Sequence, residues 1–373
     1  MIQRIQIFIL KSFIIFFAFL LFSCQKEVKA KTEIKLTPMN GEQIFNKYQD
    51  AVVLIKHSFV YKVTIDGNDF YFKNFDKNTG SISDFISYDE AKENPNVSWG
   101  TGFFIDSQGT LLTNKHVVDV RPTEEEQKMI LIGFKEKFEQ FFTVSLNDYK
   151  QKLNYLSYLQ NSNSGYNDYS SDSTGSGYEI QSLREELITT EGDLRSFRNY
   201  LDNFDMQKNS VTKTSIQFGV FFNNQKSNSL NDYVQYKSVK ISENPEVDLT
   251  IMKPVNPGEL TGRKIVSADM SKIDSVTIKP LRITEKVTML GYNYGVAIGN
   301  TSGGMKPQLT EGNISQVTDE NKILYTIPAL PGSSGSPIFD KFGRLVAVNF
   351  AGMTGTQSFN YGIQTQQIAR FIK

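Results

Sequence analysis

The sequence predicts an all-β core interrupted by one long helical insertion. Two observations carry this reading. Short apolar runs bounded by turns containing Gly, Asn or Asp recur before residue 118 and again from residue 214 to residue 350. Between them the apolar residues shift to three- and four-residue spacing, the period of an amphipathic helix. The chain has 373 residues, ample for more than one packed core. Its 40 basic and 40 acidic residues cancel, so nothing points to nucleic acid or another polyanion as partner.

The chain begins with Arg4 and Lys11, an apolar run over residues 13–22, and then Leu21-Phe22-Ser23-Cys24. A basic start, a short apolar middle and a small residue before the cut describe a secretory signal over residues 1–23, too short for a comfortable membrane span. The last four residues resemble the lipobox of bacterial lipoproteins. That resemblance implies lipidation of Cys24, a membrane anchor, and residence in the envelope of a Gram-negative cell, on the periplasmic or surface face. Cys24 is the only cysteine, which excludes an intramolecular disulfide. Residues 24–39, polar and rich in lysine, read as a tether.

Residues 40–48 predict a short helix with Asn40 as N-cap and Ile44 and Tyr48 on one face. Residues 51–55 predict a buried strand. His57 follows it and reads as a surface or half-buried side chain at a barrel rim. Residues 60–99 read as an extended hairpin with a polar tip over 76–80. Residues 102–118 read as strand, turn and strand, with His116 at the strand's end.

The insertion covers about 123–213. Thr123 and Glu126 have the spacing of a capping box. Residues 129–132 fit either a helix or a strand. From Ser145, the positions of Leu146, Tyr149, Leu153 and Leu156 predict a helix. Residues 161–178, rich in Ser, Gly, Asn, Asp and Tyr, read as a flexible loop. A second helix follows, with Ile180, Leu183, Leu187, Leu194, Phe197 and Leu201 on one face and Gly192 interrupting it. The pair reads as a helical hairpin. Its apolar stripes serve either to pack the helices on each other, or also as an oligomer or partner contact or a lid.

Strands return at 214–221 and 233–241, and Asp248 opens another over 249–252. Residues 254–262 read as a crossover. A second set of strands is expected at 286–292, 308–317, 322–327, 337–339 and 345–350, with a turn over 340–343 and a terminal helix over 363–372.

The chemistry centres on Leu330-Pro331-Gly332-Ser333-Ser334-Gly335-Ser336-Pro337. A serine hydroxyl is a weak nucleophile that needs a base and donors for the oxyanion it creates. His116, in Thr113-Asn114-Lys115-His116-Val117-Val118, and Asp248, in Asp248-Leu249-Thr250-Ile251-Met252-Lys253, complete a set in the order His, Asp, Ser. These three motifs resemble those of the trypsin-like serine proteases, most nearly the bacterial HtrA/Deg branch. The resemblance implies a chymotrypsin-like double β-barrel, the first over 40–258 with the insertion and the second over 259–373. It implies His116, Asp248 and Ser334 as catalytic residues, the Gly332 and Ser334 N–H groups as oxyanion hole, and a peptide or protein substrate. Ser333 stands where the pattern has Asn or Asp, and Pro331 precedes the loop. No PDZ-like stretch follows the second barrel, so peptide-sensing regulation is not expected.

The resemblance assigns the specificity pocket to Pro328 and to Phe350, Ala351 and Gly352. Neither stretch holds an acid, so small or medium apolar side chains are expected rather than Arg or Lys. No metal and no cofactor is expected, and two histidines scarcely make a metal site. Residues 332–336 miss the lipase spacing G-x-S-x-G by one place. The rival reading is a catalytically silent lipoprotein that uses the barrels as a binding scaffold and the insertion as its contact surface.

Overall fold

In the computed structural model the described residues are 36–65, 67–119, 121–163, 173–203, 210–226, 229–268, 281–316, 321–352 and 359–373. The expected signal over 1–23, Cys24 and nearly all of the tether lie outside them. Residues 36–38 carry no regular secondary structure, and residues 39–373 form one compact unit.

A local capping box starts the first helix. Asn40 Oδ1 accepts the Gln43 N–H and Gln43 Oε1 accepts the Asn40 N–H, both at 2.9 Å, opening α1 (Gly41–Tyr48). Ile44 and Tyr48 are buried, as expected, and the Tyr48 ring stacks on Phe339 at 4.4 Å.

β1 (Val52–Ile65) is far longer than the strand expected over 51–55. Lys56, His57 and Ser58 end the apolar run in sequence, yet all three are buried in the strand. Two of them find polar partners there: Lys56 Nζ donates to the Leu230 carbonyl at 3.0 Å, and His57 Nε2 lies 2.8 Å from Ser215 Oγ. His57 is therefore a core residue between Phe59 and Phe218, not a rim side chain.

β2 (Asn68–Phe72), β3 (Phe85–Ile86) and β4 (Asn96–Phe104) follow. The polar tip over 76–80 is a tight turn, with the Gly80 N–H on the Asp76 carbonyl at 2.8 Å. Within the stretch expected as a hairpin a short helix intervenes: α2 (Tyr88–Glu93) starts at Ser87, whose hydroxyl accepts the Glu90 N–H. β5 (Leu111–Thr113) and the one-turn α3 (Lys115–Val118) come next. After the insertion the chain adds β6 (Ser210–Phe221), β7 (Val234–Ile241) and β8 (Thr250–Pro254). The order β1-β4-β5-β8-β7-β6 closes through pairing of β6 with β1, and β2 and β3 continue the sheet beyond β1. This is the first barrel.

The second sheet contains β9 (Lys286–Gly291), then α6 (Val296–Gly299) and the small pair β10 (Asn300–Thr301) and β11 (Gly304–Met305). It continues with β12 (Gln308–Asn313), β13 (Lys322–Tyr325), β14 (Pro337–Asp340), β15 (Leu345–Gly352) and β16 (Asn360–Gln364). Its order is β12-β9-β14-β15-β16-β13, and an Ile314–Tyr325 bridge draws the two ends together. α7 (Thr365–Ile372) closes the chain, with β16 occupying the start of the helix expected over 363–372. One apolar cluster holds Leu54 and Leu112 of the first sheet together with Leu290, Phe339 and Val348 of the second. The double-barrel expectation holds.

The insertion is helical from its first residues. Thr123 and Glu126 form the expected box, with the Thr123 N–H on Glu126 Oε2 at 3.0 Å and the Glu126 N–H on Thr123 Oγ1 at 3.1 Å. α4 (Glu124–Asn163) runs unbroken through 129–132, about 60 Å in all. Buried Ile130 and Phe134 settle the helix–strand ambiguity there by packing in one cluster with Phe59, Val63 and Phe72 of the sheet. α5 (Ser173–Asp202) returns antiparallel: Phe138 stacks on Phe197 at 3.9 Å, Glu139 pairs with Arg198 at 3.3 Å and Lys150 with Glu191 at 3.7 Å. Of the loop expected over 161–178, residues 161–163 and 173–178 are helical, and the rest lies outside the described residues.

Candidate active site

His116 and Asp248 meet where β5 and the start of β8 lie side by side. Thr113 pairs with Thr250, so the residue two places before Thr250 and the turn after Thr113 are neighbours. Asp248 then holds three successive residues of that turn. Its carbonyl accepts the Asn114 side-chain amide at 2.9 Å and the Lys115 N–H at 3.3 Å. Its carboxylate accepts the His116 N–H on Oδ1 at 3.0 Å and meets His116 Nδ1 on Oδ2 at 2.5 Å. The ring is thus fixed in direction, with Nε2 on the side away from the carboxylate and the side chain half-exposed. A carboxylate on Nδ1 favours the tautomer with its proton there and stabilises the imidazolium when Nε2 takes a second one.

Ser334 stands on the turn before β14. Gly332 and Gly335 both have left-handed φ, +93° and +87°. At each a side chain is also excluded by space: a Cβ on Gly332 would stand 2.4 Å from the Tyr292 carbonyl oxygen, and one on Gly335 would stand 2.0 Å from that of Thr101. The loop is anchored to both barrels. From the first, the Thr101 N–H donates to the Ser334 carbonyl and Thr101 Oγ1 to the Gly332 carbonyl, each at 2.8 Å. From the second, Asn349 Nδ2 donates to the Ser333 carbonyl at 2.9 Å and to Ser333 Oγ at 3.2 Å. Asn349 Oδ1 in turn accepts the hydroxyl of the buried Tyr325 at 2.5 Å. The Asn349 backbone adds two bonds of 2.9 Å, with Gly335 and Ser336.

Thr101 also ties the serine loop to the histidine turn, since its carbonyl accepts Thr113 Oγ1 at 2.6 Å, three residues before His116. With the carbonyls of Gly332 and Ser334 drawn toward Thr101, neither of these residues' N–H groups has a protein acceptor among the described residues. Ser334 Oγ and His116 Nε2 are not hydrogen-bonded to each other. The arrangement offers a base held by a carboxylate, a serine on a tight turn, and unspent N–H donors on that turn.

The four residues read as a specificity pocket are less drawn together. Pro328 is exposed. Phe350 is half-buried, with the Tyr361 ring at 6.4 Å and Lys322 Nζ at 5.5 Å from its centroid. Ala351 and Gly352 continue β15 beside it. A cavity of about 700 Å³ lined by Ser107, Lys253 and Arg263 contains none of the site residues. Among the described residues no cluster of His, Cys, Asp and Glu could hold a metal ion.

Thr101 and Tyr325 carry no local signal in the sequence. Asn349 opens the stretch 349–352 that the resemblance assigns to the specificity pocket, and its side chain is instead bonded to Ser333.

Residues 205–348 match the family model described as a trypsin-like peptidase domain. The matched stretch holds Asp248 and Ser334, while His116 lies upstream, before the helical insertion. No curated protein matches the sequence. Among solved structures the chain is similar to the serine endoprotease from Yersinia pestis, at 13% identity and a TM-score of 0.42 over 90% of this chain and 66% of that one. It is also similar to the active form of the Rv3671c protease from M. tuberculosis, at 12% identity and a TM-score of 0.39 over 90% of this chain and 86% of that one.

Proposed function

The chain carries a domain of the trypsin-like serine peptidases, and on that premise we propose that it is an endopeptidase working through His116, Asp248 and Ser334. The observation that carries the proposal is the double grip of Asp248 on His116, 2.5 Å at the ring and 3.0 Å at the backbone. Such a grip is what a general base needs and a scaffold does not.

Ser334 Oγ attacks the substrate carbonyl carbon while its proton passes to His116 Nε2. The carbonyl π pair moves onto oxygen, and the N–H groups of Gly332 and Ser334 receive the charge; one such donor contributes about 3 kcal/mol in comparable sites. Asp248 stabilises the imidazolium. Collapse of the intermediate breaks the C–N bond, and His116 gives its proton to the leaving amine. Water, deprotonated by His116, then attacks the acyl-enzyme, and the departing Ser334 oxygen regains its proton.

Phe350 borders the side-chain pocket in this reading, and with Pro328, Ala351 and Gly352 it favours small or medium apolar residues before the cut. Efficient cleavage after Lys in a peptide library would overturn that preference. Residues 1–24 support export and a lipid anchor on Cys24, which would place the activity in envelope protein turnover. Among the described residues no helix is long and apolar enough to cross a membrane. Cys24→Ser moves the protein from the membrane to the soluble fraction if the anchor is right.

The deciding test treats the protein with a fluorophosphonate and reads intact mass beside Ser334→Ala. One adduct on the wild type and none on the variant is expected. No adduct on folded wild type would overturn the proposal in favour of a silent scaffold.

A further inference from the structure

The inner face of α4 is spent on α5, through Phe138 and Phe142 against Phe197. Its other face is not apolar by accident of one residue. Phe141, Val144, Tyr155 and Tyr158 are between 61% and 69% exposed. With Asp148 and Gln151, also exposed, they complete the series 141, 144, 148, 151, 155, 158. The steps are three, four, three, four and three residues, the heptad rhythm of a coiled-coil seam. At 100° per residue the six positions fall within an arc of about 100°, turned roughly 150° from the α5-facing side. Exposed aromatics in such a row are the mark of an interaction surface rather than of a solvated helix.

We propose that this seam binds a second copy of the same chain, α4 against α4, antiparallel about a two-fold axis between Tyr149 and Lys150. The series reads the same in both directions, which is what a self-complementary contact requires. In the antiparallel register Phe141 faces Tyr158 of the second copy, Val144 faces Tyr155, and Asp148 faces Gln151. The centre is then an acid against an amide donor. Lys152, which already pairs with Asp148 at 3.1 Å within the helix, stands one turn away to share the charge across the axis. A parallel register would instead set Asp148 on Asp148, a like-charge contact. Each copy buries three exposed aromatics and a valine, which amounts to about 900 Å² over both copies and suits a weak, concentration-dependent dimer.

The experiment is sedimentation of the full-length chain in mild detergent over a wide concentration range, and it needs no enzymatic activity. The wild type is expected to pass from monomer to dimer. Val144→Glu and Tyr155→Lys, each at an exposed position and each checked for unchanged helical circular dichroism, are expected to weaken association about tenfold or more. The double variant Val144→Glu with Tyr155→Lys is expected to restore it, because the two new charges face each other across the axis. Thr143→Lys, off both seams, is expected to change nothing. A wild type that stays monomeric, single variants that associate as well as the wild type, a double variant that does not recover, or a Thr143→Lys that also dissociates would each overturn the proposal.

Discussion

Thr101 Oγ1 donates to the carbonyl of Gly332 at 2.8 Å, and the same oxygen accepts the Tyr292 N–H at 3.0 Å. One fully buried hydroxyl of the first barrel thus satisfies two backbone groups of the second, one of them on the serine loop. Thr101→Val keeps the shape and removes both bonds. The stranded carbonyl and N–H should cost about 2–4 kcal/mol of stability. The freed Gly332 peptide should also slow fluorophosphonate labelling of Ser334, whereas Thr101→Ser should label at near the wild-type rate. Equal labelling by Thr101→Val and wild type would show that the hydroxyl does not orient the loop.

That relationship was out of reach of the sequence, because it joins positions 231 residues apart and Trp99-Gly100-Thr101-Gly102 has no local signature. What was legible was local. The caps at Asn40 and Thr123 are each decided within four residues, and the His116, Asp248 and Ser334 stretches each carry a short pattern. The length of β1 was hidden for the opposite reason. Lys56, His57 and Ser58 look like the end of a buried run, and only the remote partners Leu230 and Ser215 let Lys56 and His57 remain inside. Residues 129–132 were ambiguous because an apolar run of four fits helix and strand alike, and packing against a distant part of the sheet decided it.

His57 gives the fold a pH dependence of its own. Burial lowers its pKa from 6.5 to about 4, Lys213 adds repulsion, and the Val117 backbone opposes the shift to a smaller degree. A depressed histidine pKa means that the folded state prefers the neutral ring. Its contribution is fully present above pH 6.5 and is lost as the pH falls from there toward about 4. The shift corresponds to about 3 kcal/mol over that window. His57→Gln has no such titration, so its urea midpoint should fall less than that of the wild type between those two pH values. Parallel pH profiles for the two proteins would show that His57 is not the titrating group.

Asn349 holds the serine loop by its side chain where Ser333 offers no charge to do so. Asn349→Ala removes two bonds to Ser333 and leaves the Tyr325 hydroxyl only its longer contact with the Tyr361 carbonyl, at 3.3 Å. Turnover of a peptide substrate should drop at least tenfold in kcat with a smaller change in KM if, as proposed, the loop supplies the oxyanion donors rather than the main substrate contacts. Tyr325→Phe, which leaves Asn349 on Ser333, should lose less. A change confined to KM in Asn349→Ala would assign the residue to substrate binding instead.

Two glycines of the insertion should respond with opposite sign to the same substitution. Gly133 lies where α4 meets the turn over 76–80, and a Cβ there would stand 2.1 Å from the Gly80 carbonyl oxygen and 3.3 Å from Ile82 Cγ2. The first contact is with backbone in a closed turn, so Gly133→Ala must lift the helix or distort the turn, at about 1–3 kcal/mol. Gly192 is in the middle of α5 with nothing within 4 Å of an added Cβ. There alanine only removes the entropy cost of glycine in a helix, a gain of about 1 kcal/mol. Chemical denaturation of both variants checks the pair. A Gly133→Ala protein as stable as the wild type would mean that the helix root can shift on the sheet, and with it the angle at which the hairpin leaves the first barrel.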